Sequence, residues 1–313
     1  MARRQIGQEV FTFVADPISH RGSLDRLSGL IDWSLLDRHL ADIYAAAKGE
    51  SAWPPLALFR ALLLAVWYDL SDVKLAEALE DRASFRRFCG FAAHEPTPER
   101  TAFVRFRREL VGRSLDKVLF DEVTRQLKAQ AITIKKGTLV DATVIASATH
   151  RDEEAAWAGH KRRKAIHGFK AHVAADADTA LVEELTVTPG NVNDGRAGGV
   201  VLPDHPGDVY ADSAYRGTAF ASAVQSKGGC PRVVQTGVWG QPGGHALRKL
   251  RVWNHQVQHV RCRIEKIFGT WKRSYGLRRM RWTGLAKAAL QVRLTAIAYN
   301  LKRMAVILIP EAA

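Results

Sequence analysis

Three acidic residues define the chemistry open to this chain. Glu265 lies in the run Arg261-Cys-Arg-Ile-Glu265-Lys-Ile-Phe-Gly-Thr-Trp-Lys272. If that run is helical, Glu265 falls roughly 40° and Lys272 roughly 20° around the axis from Arg261. One carboxylate is then framed by two cations on one face, which suits a site that holds a metal ion and a phosphate backbone together. An ordinary solvated helix face with i,i+4 ion pairs has the same spacing, so the stripe alone decides nothing.

Asp141 follows the apolar run Gly-Thr-Leu-Val, and Asp212 follows Asp-Val-Tyr-Ala. Each is expected at or near the end of a buried strand, where open α/β sheets place ligands. Aspartates at strand ends also cap turns, and Asp141 could cap Thr143 or Val144. With Glu265 from a helix packed beside those strands, the two would complete a hard-oxygen set of the kind Mg2+ takes, with Mn2+ as a substitute. Two such ions about 4 Å apart serve phosphodiester chemistry.

The elements that must position these acids follow from periodicity. Residues 22–130 read as helical, with apolar positions recurring at three and four in LIDWSLLDRHLADIY and PLALFRALLLAVWY. Pro54-Pro55 starts the second of these helices, Ser71 is an N-cap for SDVKLAEALED, Gly90 ends SFRRFCGF, and a longer helix runs from about Ser114 to Gln130. The pattern changes near Ile132. A strand is expected to end close to Asp141, and GFKAHVAADAD and ALVEELTVTPG make a hairpin about Asp176-Ala-Asp178-Thr. NVNDGRAGGVVLPD is a loop leading to a short helix, and GDVYADSAY and CPRVVQTG are further strands. A basic helix spans about 246–275, and an amphipathic one about Gly284–Ile307. The expected fold is α/β, a mixed sheet flanked by helices behind an all-helical N-terminal domain (1–130 and 131–313).

The net charge of +14 and the pI near 10.0 favour a polyanionic partner, nucleic acid before an anionic membrane. Cys89, Cys230 and Cys262 form neither a C-x-x-C zinc pattern nor a disulfide framework, which fits a reducing cytoplasm. The opening MARRQIGQEV has no apolar run behind its arginines and is not expected to be a signal peptide. The longest apolar run, Ala61 to Trp67, is too short to span a bilayer.

DATVIASA, GFKAHVAADADTALVEELTVTPGNVND, VYADSAYRG and the Arg261–Lys272 run together resemble the bacterial DDE transposases of the insertion-sequence-five group. SFRRFCGF and VRFRREL extend the resemblance into the helical region. The resemblance implies an RNase H-like catalytic domain, two Mg2+ ions, and cleavage of DNA followed by strand transfer. It carries the acid roles onto Asp141, Asp212 and Glu265, and phosphate positioning onto Arg261 and Lys272. In that group a tyrosine stands three residues before the arginine; here the position is Gln258. The partners implied are the terminal inverted repeats of a mobile element, target DNA, and further copies of the chain at synapsis. A domesticated copy that binds ends and represses, and a metal-dependent nuclease that never joins strands, are the alternatives.

Further DNA contacts are expected from cations outside the acids. Lys161, Arg162, Arg163 and Lys164 form a dense run that is either a solvated loop or a backbone contact. Arg216 follows Asp212 closely and is placed to touch phosphate. Arg86 and Arg87, with Arg82, charge a pair of short helices that reads either as a helix-turn-helix or as a dimerisation unit. Lys170 and His172 share a strand face that could be the catalytic one, Asp194 is a candidate supporting acid, and Trp239 is either a base-stacking residue or a packed loop residue. Trp271 is expected in the core.

Overall fold

The structure, a computed structural model, describes residues 4–7, 22–44, 51–131, 137–160, 163–237 and 244–308. The chain forms two compact units, Met1–Ala131 with Arg293–Ala313, and Ile132–Val292. The C-terminal limit of the second unit therefore falls at Val292, short of the 313 expected from sequence.

The first unit is helical: α1 (Ser23–Ser28), α2 (Trp33–His39), α3 (Pro55–Trp67), α4 (Asp72–Asp81), α5 (Ala83–Cys89), α6 (Arg100–Gly112) and α7 (Leu115–Gln130). Local signals set the boundaries. Pro55 opens α3, Ser71 accepts the Lys74 amide at the start of α4, and Gly90 closes α5 in the left-handed conformation at φ 89°. α3 is apolar nearly all round and is buried nearly all round, with Phe59, Leu63 and Leu64 fully enclosed. The Arg60 guanidinium lies 4.3 Å from the centre of the Trp33 ring. The last residues join this unit through specific bonds: Trp67 Nε1 donates to Ala298 O at 2.8 Å, and Arg293 pairs with the buried Asp116.

The second unit is built on one six-stranded sheet of β1 (Gly137–Ala146), β2 (Ala156–His160), β3 (Arg163–Asp176), β4 (Val182–Pro189), β5 (Asp208–Ala211) and β6 (Cys230–Val233). β3 pairs antiparallel with β1, β2 and β4, whereas β5 pairs parallel with β1 and with β6. Setting aside β2, which adds to β3, the order is three antiparallel strands (β4, β3, β1) followed by two parallel to β1 (β5, β6), with β1 in the middle, the RNase H-like arrangement. The β3–β4 turn is held by Asp176, whose carboxylate accepts the amides of Asp178 and Thr179 at 3.1 and 2.7 Å. The remaining helices are α8 (Asp194–Ala197), α9 (Thr218–Ser226), α10 (Gly244–Ser274) and α11 (Leu285–Leu308). One core joins Val140, Ala174, Val209 and Ala211 of the sheet to Tyr215, and to Phe220 and Val224 of α9. Ile264, Ile267 and Trp271 of α10 are fully buried.

The strand expectations are corrected at two points. β1 does not end at Asp141: Thr143, Val144 and Ile145 are β-branched and stay paired with β3 as far as Ala146↔Gly168. The parallel partner β5 is the strand that stops there. A strand not expected from the sequence, β2 (Ala156–His160), pairs antiparallel with β3.

Candidate active site

Register places the first two acids. The parallel ladder of β1 and β5 pairs Leu139 with Tyr210. Two residues further on along each chain stand Asp141, still on β1, and Asp212, the first residue after β5, near enough for the Asp212 charge to act on the Asp141 carboxyl. Asp141 Oδ1 accepts its neighbour's amide, Ala142 N, at 2.8 Å, and not those of Thr143 or Val144. Asp212 is the N-cap of the short 3-10 turn Ser213–Tyr215, accepting Ala214 N at 2.8 Å.

The third acid arrives on α10, and its stripe is helical as expected. Arg261 turns inward: Nη2 donates to Asp141 Oδ2 at 2.7 Å, while Nη1 lies 3.5 Å from Glu265 Oε1. The arginine and Asp141 are largely buried, at 16% and 14% side-chain exposure, whereas Glu265 is open at 65%. One guanidinium thus bridges the strand acid and the helix acid. As they stand, no three acid, imidazole or thiol groups among the described residues converge to metal-ligand spacing. The positive charge between Asp141 and Glu265 belongs to Arg261. Lys272, about two helical turns beyond Glu265, is half-buried.

The electrostatics single out Asp141. Burial pushes its carboxyl up from 3.8 to about 6, against the pull of the Arg261 charge and the Ala142 amide, and the nearby Asp212 charge adds to the rise. Desolvation prevails over the ion pair, so the carboxylate is under-compensated and favours more positive charge or a proton. Tyr215 lies under the same acids. Its hydroxyl is buried without a hydrogen-bond partner, and burial together with Asp141, Asp194 and Asp212 pushes its ionisation well above the usual phenol range. It remains a neutral donor.

The segment that carries these acids matches a known family. Residues 133–301 match the model described as Transposase DDE domain, and residues 14–109 match that described as Transposase domain (DUF772). The chain belongs to the transposase DDE family. It is an insertion-sequence DDE transposase, a divalent-metal-dependent enzyme that acts on DNA. Among solved structures, it is similar to the piggyBac transposase in a cryo-EM synaptic complex with hairpin DNA. The identity is 10% and the TM-score 0.47, over 90% of this chain and 72% of that one.

The transposase uses several of the other candidate residues within its fold. Lys170 and His172 lie on the opposite face of β3 from Val173, the partner of Asp141, so their face is not that of the acids. Lys170 Nζ donates to Asp194 Oδ1 at 2.9 Å, and His172, fully buried, meets Thr188 Oγ1 at 2.9 Å. Burial takes the His172 imidazole down to about 4, so it stays neutral. Arg86 is not a free phosphate contact: it donates to Ala92 O at 2.9 Å and to the carbonyls of Glu95 and Leu79, tying the chain after α5 back onto it. Arg87 is exposed and ion-paired to Asp25 at 3.3 Å. The link between α4 and α5 is Arg82 alone, shorter than the three- or four-residue turn of a helix-turn-helix. Arg216 is exposed, with Nε on Ser213 O at 3.1 Å. Lys164 is exposed, Arg163 begins β3, and Lys161, Arg162 and Trp239 lie outside the described residues. Gln258 is exposed on α10, and Trp271 is fully buried.

Sequence reasoning passed over two features here. The pairing of Arg261 with Asp141 joins residues 120 positions apart and leaves no local signal. The placement of Tyr215 depends on Gly198, where a Cβ would come within 2.6 Å of the tyrosine Cδ1 and 3.1 Å of Phe220 Cε2. The glycine in Asp-Gly-Arg-Ala-Gly-Gly is the trace of that contact in the sequence.

Proposed function

We propose that this transposase cuts the ends of a mobile element and joins the freed 3′-hydroxyl to target DNA, with Asp141, Asp212 and Glu265 as its catalytic acids. The observation that carries the assignment is the register that sets Asp141 beside Asp212, with Glu265 linked to Asp141 through Arg261. The donors fit a divalent ion. They are hard carboxylate oxygens, one of them buried and short of positive charge, and a guanidinium stands among them as a resident cation. Mg2+, held by the three acids, would supply the Lewis acidity that activates the attacking oxygen and steadies the leaving one.

The chain's own groups define the remaining tasks. Asp212 is fixed by its cap bond to Ala214 N, so its position follows the 3-10 turn. Glu265 is solvent-exposed on a helix and is free to swing toward the strand acids. Arg261, once Asp141 is otherwise neutralised, has a planar fork ready for a phosphate. Lys272 and Arg216 extend the cationic margin on which the DNA backbone would lie. The enzyme acts on chromosomal DNA in the nucleoid, as an oligomer that holds two ends.

Glu265→Ala tests the assignment. The variant should bind end-containing duplex within a factor of two or three of the parent and lose strand cleavage in Mg2+ by roughly a thousandfold or more. Its exposed side chain implies a stability change within about 0.5 kcal/mol. Cleavage by this variant at a rate near that of the parent would remove Glu265 from the site.

A further inference from the structure

Trp157 is the one tryptophan among the described residues classed as exposed, at 58%. It sits on β2 within a cluster of rings: His150 lies 6.2 Å away and nearly parallel, at 18°, and His167 lies 5.3 Å away at 57°. His167 Nδ1 is buried without a hydrogen-bond partner. A solvent-facing indole backed by two imidazoles costs solvation and contributes little to a core, so its use has to be sought outside the unit.

The cluster is pre-set. His150 rides on the loop between β1 and β2, and that loop is anchored by Asp152, which is 6% exposed. Asp152 Oδ2 accepts from Ser147 Oγ at 2.8 Å and from Gly284 N at 3.1 Å, while Glu154 accepts Leu285 N at 2.7 Å. Arg151, next to His150 in the chain, is exposed and cationic, and Glu153 is exposed in the same loop.

Its position relative to the acids follows from register. Trp157 pairs with His167, and Asp141 pairs with Val173. His167 and Val173 are an even number of residues apart on β3, so Trp157 and Asp141 share a face of the sheet. Six residues at ~3.3 Å separate them by ~20 Å, a span of about six nucleotides at 3.4 Å each.

We propose that Trp157, with His150 and His167, is a stacking platform for an unpaired base of the DNA strand being processed, about six nucleotides from the phosphate at the acids. The location of that phosphate rests on the acid assignment above; the platform itself does not. An aromatic face takes any base, so such a platform holds the strand without reading sequence. The occupant is single-stranded DNA and not a second protein, because the rings face solvent beside Arg151 on a protein of net charge +14 that acts on DNA.

The full-length protein is titrated with a blunt duplex and with the same duplex carrying a single-stranded tail that contains 2-aminopurine. The parent should bind the tailed duplex about tenfold or more tightly than the blunt one and quench the probe. Trp157→Ala should lose the preference and the quenching while keeping blunt-duplex affinity and its salt dependence, and Trp157→Phe should keep most of both. Circular dichroism checks that the variants fold. Glu265→Ala should quench like the parent, which separates this site from the metal reading. Equal tail preference in the parent and Trp157→Ala overturns the proposal, as does a parent with no tail preference. A change of oligomeric state in Trp157→Ala with tail binding intact also overturns it and assigns the face to contacts between copies.

Discussion

Replacing Asp141 by Asn should make the protein inactive and more stable at the same time. The carboxyl is raised from 3.8 to about 6 by burial that Arg261 only partly offsets. In the unfolded chain it ionises at its ordinary value, so between 3.8 and about 6 the folded state holds a proton that the unfolded state has released. Stability therefore falls as pH rises through that window and stays lower above it. At 1.36 kcal/mol per pH unit the ionised side chain costs ~3 kcal/mol at pH 8. Asn keeps the shape without the charge. The variant should gain ~1–3 kcal/mol at pH 8, and the gain should vanish below about pH 4. A urea series read by hydrogen exchange at the β1 amides reports the unit that contains Asp141. Added Mg2+ should stabilise the parent by ~1.4 kcal/mol at ten times its dissociation constant and leave the variant unmoved. A loss of more than about 1 kcal/mol at pH 8 would refute the reasoning, because the Arg261 pair would then outweigh the burial.

Two further outcomes follow from packing and hydrogen bonding. Gly198→Ala should cost ~1–3 kcal/mol and lower cleavage as well, because the new methyl displaces the Tyr215 ring and with it the turn that carries Asp212; thermal melts and cleavage rates read the two effects. Arg86→Ala and Arg87→Ala should separate structure from surface. The first removes a charged donor from three backbone carbonyls and should cost ~2 kcal/mol. The second breaks an exposed ion pair and should change stability by less than about 0.5 kcal/mol. If Arg87 meets phosphate, its loss reduces the slope of log affinity against log salt by about 1, and an unchanged slope excludes the contact.

Much of the site was legible because its signals are local. The 3.6-residue period put Arg261 and Glu265 on one face of α10, where they lie 3.5 Å apart. Ser71 and Gly90 marked helix ends because caps are made within a few residues. Asp141 was read as a strand end because the apolar run stops there. That run records only which residues are buried, and β1 continues beyond it on the strength of its pairing with β3. β2 was missed because Ala156–His160 is short, holds two alanines and a glycine of low strand preference, and becomes a strand only beside β3. Arg86 was read as a surface charge because composition does not distinguish a guanidinium that meets phosphate from one that meets carbonyls.

The sequence by itself determined the order of the elements other than β2, the three candidate acids and the cation stripe, since periodicity and residue type are properties of a single segment. Only the tertiary structure decided that Asp141 and Asp212 are neighbours, because strand register is a relation between distant segments. It also paired Arg261 with Asp141, a partner 120 positions away. The physical reason is the same in both cases. A charge takes its role from the dielectric and the partners around it, and those are assembled only when the strands and α10 come together.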